Sequence, residues 1–226
     1  MEFMAVSWQA VREWLIALGT LGATGVALYL GVLRDRLRRP VLEVTFDAAD
    51  SRDLQVVGMR RDGHPKGDTR AAYARLRVTN RTGGNTAEEV QVLVEQVRLT
   101  KTGKDPTPGS ENIGEMPLAV SGSWPTETHL NVAPGVGRHF DCVHIRKDES
   151  QDGEQHVNLD VVPKPADERE KIRASRIELD IVVTARNADA QFRAVGVEFD
   201  GGWPEEEQRI ADHLRIEVAN RRAPSH

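Results

Sequence analysis

The chemistry-bearing residues of this 226-residue chain gather in one short run, "HFDCVH", His139–His144. Two imidazoles, a carboxylate and a thiol within six positions are the donors of a metal site or of a nucleophile with its base. In a regular strand, side chains alternate between faces. His139 and Asp141 would then share one face, Cys142 and His144 the other, and a single ion could not collect all four. The expected arrangement is a strand with Phe140 and Cys142 in the core and the polar residues outside. A metal-dependent hydrolase would rest on His139, Asp141 and His144 alone.

Other motifs add no catalytic spacing. The chain has no G-x-x-x-x-G-K-[ST], no H-E-x-x-H and one cysteine, so no paired zinc ligands. "SGSW" (Ser121–Trp124) is not a G-x-S-x-G elbow. No cofactor or metal is expected. Trp124 and Trp203 each precede a proline. Exposed, they would form an aromatic ligand platform; buried, they would pin loops to the rim of the fold. Asn80 and Asn187 each end a patterned strand, as turn residues do.

Strands must position these groups. "VLEVTF" (Val41–Phe46) alternates Leu42, Val44 and Phe46 with polar residues. "YARLRVTN" (Tyr73–Asn80), "VQVLV" (Val90–Val94) and "RIELDIVVTA" (Arg176–Ala185) do the same. Period two marks strands with one buried face. Gly-rich "RTGGNT" and Pro-Gly in "VAPGVG" supply turns, and "ARNADAQF" reads as a hairpin. "LRIEV" (Leu214–Val218) is expected as a last strand, preceded by a short helix over Trp203–Leu214 with Pro204 at its start and acids in its first turn. The expected fold is mainly β: an antiparallel immunoglobulin-like β-sandwich over residues 41–220 with one short C-terminal helix. Charged runs at Arg60–Arg70, Lys101–Glu115, Arg146–Gln155 and Pro163–Lys171 are expected loops, and residues 221–226 a tail.

The N-terminus follows another rule. From Trp14 to Leu33 run twenty residues without a charge, which at 1.5 Å per residue match a bilayer core of roughly 30 Å. The run exceeds a signal-peptide h-region and stops against "RDRLRR". Residues 1–40 are therefore expected to form a transmembrane helix (about 14–33) with a basic collar. Arg34, Arg36, Arg38 and Arg39 follow the span, and only Arg12 closely precedes it, so the C-terminal part is placed in the cytoplasm and the N-terminus outside. The four arginines would meet lipid headgroups. Gly19, Ala23, Ala27 and Gly31 recur every four residues, a spacing that favours helix self-association and predicts a homo-oligomer.

Charge excludes one class of partner. Five of the chain's 30 basic and three of its 35 acidic residues lie in positions 1–40, leaving residues 41–226 with a net charge of −7. An acidic domain lacks the basic footprint that nucleic acid requires.

"LRVTNRTGGNTAEEVQVLVEQV", "HLNVAPGVGRHFDCVHI" and "VEFDGGWPEEEQRIADHLRIEV", with the N-terminal span and "RRPVLEV", resemble a broad set of uncharacterised bacterial single-pass membrane proteins. The resemblance implies a C-terminal immunoglobulin-like sandwich at the inner membrane and brings no activity. The expectation is a non-enzymatic interaction or sensor module binding a protein or small ligand. The alternative is a membrane effector triggered to oligomerise, with bacterial antiviral defence as an analogy.

Overall fold

The computed structural model describes residues 8–59, 69–100, 109–111, 115–122, 127–147, 156–162, 171–173 and 176–221. The chain divides into two compact units, Met1–Arg39 and Pro40–His226.

The first unit is one run of helix. Helix α1 (Trp8–Leu28) passes into a π-helical turn (Tyr29–Leu33) and then α2 (Arg34–Leu37). Residues Val11–Gly31 are long and apolar enough to span a membrane, with mean hydropathy 1.5. Their side chains are exposed, Trp14 and Leu21 each at 70%. An apolar helix left bare in this way has no core of its own to join. Thr20 and Thr24 each donate a hydroxyl to the carbonyl four residues back, Ile16 and Thr20 respectively, so their protons are spent within the helix.

The second unit is mainly β, two antiparallel sheets around one hydrophobic core. In the first sheet, β1 (Leu42–Thr45) and β2 (Leu54–Met59) pair with one edge of β3 (Thr69–Asn80). The other edge of β3 pairs with β9 (Gly137–Arg146), followed by β10 (His156–Leu159) and β11 (Lys171–Arg173). A short strand, β7 (Ala119–Val120), also pairs with β9. In the second sheet, β4 (Ala87–Thr100) receives β5 (Gly109–Glu111), β6 (Met116–Pro117) and β8 (Leu130–Val132). It continues through β12 (Arg176–Ala185) and β13 (Ala188–Phe199) to β14 (Leu214–Asn220).

Alternation builds the core. Leu76 and Val78 of β3, Val90, Val92 and Val94 of β4, and Ile177, Leu179, Ile181 and Val183 of β12 are all fully buried. Their β-branched and Leu side chains suit a pleated half-buried surface. The β12–β13 hairpin turns at Arg186–Asn187, with Ala185 opposite Ala188. Ala133–Val136 forms a turn closed by the Val136 N–H to the Ala133 carbonyl at 3.1 Å, with Gly135 at φ 74°. That positive φ is what Pro-Gly provides in a type II turn. Asn80 and Asn187 do more than turn the chain. Buried Asn80 donates to the carbonyls of Asn85 and Val132. Asn187 accepts from the Glu88 N–H and donates to the Thr86 carbonyl.

The expected C-terminal helix is corrected. Only a six-residue 3-10 helix forms, Glu207–Asp212, preceded by Glu206 in an extended conformation. Ile210 is its one buried residue, while Leu214 is the first residue of β14, opposite Phe199. The two apolar positions four apart therefore serve different elements, and ladder pairing of Leu214 overrides the helical spacing. The expected loops over 60–68, 101–108, 112–114, 148–155 and 163–170 lie outside the described residues, as does most of the tail, 222–226. At their margins, Thr69–Arg70, Gly109–Glu111, Arg146 and Lys171 belong to strands.

Phe140 is among the largest fully buried side chains. Phe140→Ala should lower unfolding free energy by about 3–5 kcal/mol through lost burial and the cavity left behind. Denaturant titration of the full chain reads this as a lower midpoint at unchanged slope.

Candidate functional site

Strand β9 is not regular, and this decides where its polar residues go. Its register against β3 slips between Ala74, opposite Val143, and Arg75, opposite Asp141. Cys142 is the extra residue, a β-bulge that shifts the alternation by one. Phe140, Cys142, Val143 and Ile145 are all buried in the core. His144 stands opposite outward-facing Tyr73, Asp141 opposite Arg75, and His139 opposite Arg77. The expectation that Cys142 and His144 share a face is thus overturned: His139, Asp141 and His144 lie together on the outer face of the first sheet.

There they form separate partnerships. Asp53 has no exposed surface and is fully engaged. Its Oδ1 meets His139 Nε2 at 2.9 Å, and its Oδ2 accepts from Arg77 at 3.0 Å and from the Asp47 N–H at 2.9 Å. Asp141 Oδ1 accepts from Arg75 Nε at 2.8 Å and from the Ser121 hydroxyl at 2.5 Å. Buried His144 stacks on Tyr73, ring centroids 5.0 Å apart, and its Nδ1 meets Asp160 at 2.9 Å. Arg52 grips Asp50 with Nε and a terminal nitrogen, each at 3.2 Å, and the Asp50 carboxyl is held below the usual carboxylate range chiefly by that hydrogen bond.

The two histidines are bound to different aspartates, and the cleft hydroxyl of Ser121 donates to the Asp141 carboxylate rather than to either imidazole. Among the described residues no three His, Cys, Asp or Glu side chains are grouped to hold a metal ion. Burial pushes the Cys142 thiol well up, with Asp160 and Asp141 adding to it, which keeps the sulfur protonated and a poor nucleophile.

Beside this network lies an open cleft of about 810 Å³ whose lining includes Arg52, Arg75, Ser121, Asn131, Arg138 and His139. Four of these groups are already engaged by aspartates: Arg52, Arg75, Ser121 and His139. The cleft is therefore polar, rigidly dressed and close to charge-balanced, able to offer donors and acceptors to a ligand without a strong preference for either sign.

The second sheet carries a matching network that sequence patterning missed. Asp180 occupies an outward position yet is fully buried, because Arg98 clasps it with both terminal nitrogens at 2.7 and 2.6 Å and Arg221 approaches at 3.1 Å. Asp53 was missed likewise. The one available signal was an outward-facing Arg on a neighbouring strand, Arg77 for Asp53 and Arg98 for Asp180.

Of the remaining expected residues, Trp203 is partly buried and packs against the core, so it pins its loop, whereas Trp124 lies outside the described residues. Gly19, Ala23 and Ala27 fall on one face of α1, and Gly31 sits within the π turn, whose additional residue per turn alters the spacing there. A Cβ on either Gly19 or Gly31 would meet nothing within 4 Å. Arg34, Arg36, Arg38 and Arg39 are exposed.

Two substitutions test the network. Asp53→Asn leaves buried donors facing an amide and should cost about 2–4 kcal/mol, while Arg138→Ala should stay within about 0.5 kcal/mol; chemical denaturation compares them. Burial, with Asp160 and Asp141 nearby, pushes the Tyr73 phenol up to about 12. The unfolded phenol ionises near 10, so above that pH the unfolded state loses a proton that the folded state keeps. This part of the stability is complete below about pH 10 and disappears toward pH 12. Tyr73→Phe should make the alkaline decline of the denaturation midpoint shallower.

Compared with known protein families, curated proteins and solved structures, the chain matches none.

Proposed function

We propose that the chain is a membrane-anchored, non-enzymatic interaction or sensor module. Its β unit, an immunoglobulin-like sandwich, binds a protein or a small ligand at the cytoplasmic face of a bacterial inner membrane. The observation that carries this is the exposed apolar helix Val11–Gly31, joined to a separate β unit with a complete core of its own. Water penalises such a helix along its whole length, whereas a bilayer accommodates it. The arginine collar supports the orientation by the positive-inside rule.

The ligand site is assigned to the cleft on the outer face of the first sheet. Arg52, Arg75, Ser121 and His139 are held by aspartates before any ligand arrives, and preorganised polar groups lower the cost of binding. Charge balance and open shape fit a polar, uncharged or zwitterionic ligand, or a protein loop.

A second function is favoured by one specific observation. Gly19, Ala23 and Ala27 share an exposed helix face, so a signal at the head would be passed on by helix association, making the chain an oligomerising membrane effector.

Fractionation of expressing bacteria tests the anchor. The full chain should remain in the membrane after alkaline carbonate washing, and a chain lacking residues 1–39 should be released; a carbonate-soluble full chain would refute it. Replacing Ala23 and Ala27 by Leu should weaken oligomers in lipid nanodiscs, and unchanged oligomer size would count against the effector function.

A further inference from the structure

Strand β14 closes the second sheet on one side. It pairs with β13, and no described strand lies beyond it. The direction of its backbone groups follows from its flanks. The Arg221 N–H donates to the Phe192 carbonyl, and the Asp200 N–H donates to the His213 carbonyl. Both contacts continue the register that sets Arg193 opposite Asn220 and Phe199 opposite Leu214. Hydrogen-bonded and non-hydrogen-bonded pairs alternate along an antiparallel ladder. Arg215, Glu217 and Ala219 therefore turn their N–H and C=O groups to β13. Leu214, Ile216, Val218 and Asn220 turn theirs to the open edge.

Side chains alternate along the same strand. Arg215, Glu217 and Ala219 are exposed, Leu214 is buried, and Ile216 and Val218 pack partly against the core. A groove of about 430 Å³ lined by Val41–Thr45, Gln191, Arg193 and Val218–Asn220 lies at the C-terminal end of the strand. Charges on an edge strand commonly deter pairing. Here the two charges are of opposite sign, two residues apart, and neither has an ion-pair partner among the described residues.

That spacing is complementary to itself. When a second β14 runs antiparallel with Ile216 opposite Ile216, Arg215 of each copy faces Glu217 of the other. Ile216 with Ile216, and Leu214 with Val218, then fall at hydrogen-bonded positions and use the groups already turned outward. The two Arg–Glu pairs fall at non-hydrogen-bonded positions, where side chains approach most closely. Moving the centre by one residue sets Glu217 against Glu217 or Arg215 against Arg215. Backbone direction admits each of these centres, and charge selects Ile216 among them.

We infer that β14 is a homodimerisation edge, at which two copies of this chain join their second sheets into one continuous antiparallel sheet centred on Ile216. The contact is isologous, as a two-fold dimer requires. It stands on the strand edge alone and holds whether or not the N-terminal helix is an anchor.

Oxidative cross-linking of the full-length protein in detergent tests the register. Non-hydrogen-bonded Cα atoms lie about 4.5 Å apart, within disulfide reach, and native Cys142 is buried. The Arg215→Cys/Glu217→Cys double variant should form mostly covalent dimer under mild oxidation, and Glu217→Cys alone several-fold less. A double variant that stays monomeric overturns the proposal, whether its edge is left free or takes a strand of another protein. Equal cross-linking by Glu217→Cys alone overturns the register. Independently, Glu217→Arg faces Arg with Arg at both symmetry-related positions and should raise the dimer dissociation constant at least tenfold at low salt; an unchanged constant is contrary to the proposal.

Discussion

The phase of β9 governs both faces of the first sheet. This strand lies between β3 and β10, so its side chains supply the core on one side and the polar surface on the other. A regular strand would bury His144 in the core and turn Val143 and Ile145 outward. The bulge at Cys142 prevents this. One extra residue, small and apolar enough to be buried, lets four side chains from Phe140 to Ile145 face the core while both histidines and Asp141 face out. The Tyr73–His144 stack depends on that single insertion, which puts His144 on the face that already carries the Arg75–Asp141 pair and the Arg77–Asp53–His139 chain. A bulge that re-aims side chains is a recurrent device beside functional surfaces, and here it adds His144 to the polar outer face that carries the cleft.

The molecule combines two solvation problems with separate solutions. The helical unit exposes apolar surface and ends in a cluster of arginines. The β unit hides its apolar surface between two sheets and pairs many of its outer charges, with Asp53 and Asp180 at the centres of two buried networks, one on each sheet. Buried carboxylates of this kind contribute little net stability beyond a well-packed apolar alternative, but losing one partner is costly. Their effect is to fix the orientation of Arg77, His139, Arg98 and Arg221. Charged groups held in place before a ligand arrives lower the cost of binding it. This is the physical basis for favouring an interaction module.

Much of the fold was legible because β-branched residues alternate so regularly. Leu76 and Val78, Val90 to Val94 and Ile177 to Val183 declare their buried faces without help from tertiary context. Pro134-Gly135 and Arg186-Asn187 announce their turns equally well. What the sequence hid were single-residue irregularities. Nothing in "HFDCVH" marks Cys142 as an extra residue, since Phe, Cys and Val are each acceptable inside. The "WPEEEQRIADHL" segment has helical composition, yet the ladder between Leu214 and Phe199 limits it to a 3-10 turn. Asp53 and Asp180 read as surface residues because their burial depends on arginines from other strands, far away along the chain. The candidate site was half visible: His139, Asp141 and His144 were named, but the aspartates that hold the histidines were not.

The central claim is that the exposed helix crosses a membrane and holds the β unit on its cytoplasmic side. Buried Cys142 leaves the native chain without a reactive surface thiol among the described residues, so one cysteine placed at exposed Val136 reports the side directly. The full-length Val136→Cys protein is treated with a membrane-impermeant maleimide in intact spheroplasts and in inverted inner-membrane vesicles. Labelling in inverted vesicles with protection in spheroplasts is the predicted result. Labelling in spheroplasts with protection in inverted vesicles would place the β unit outside and contradict the account.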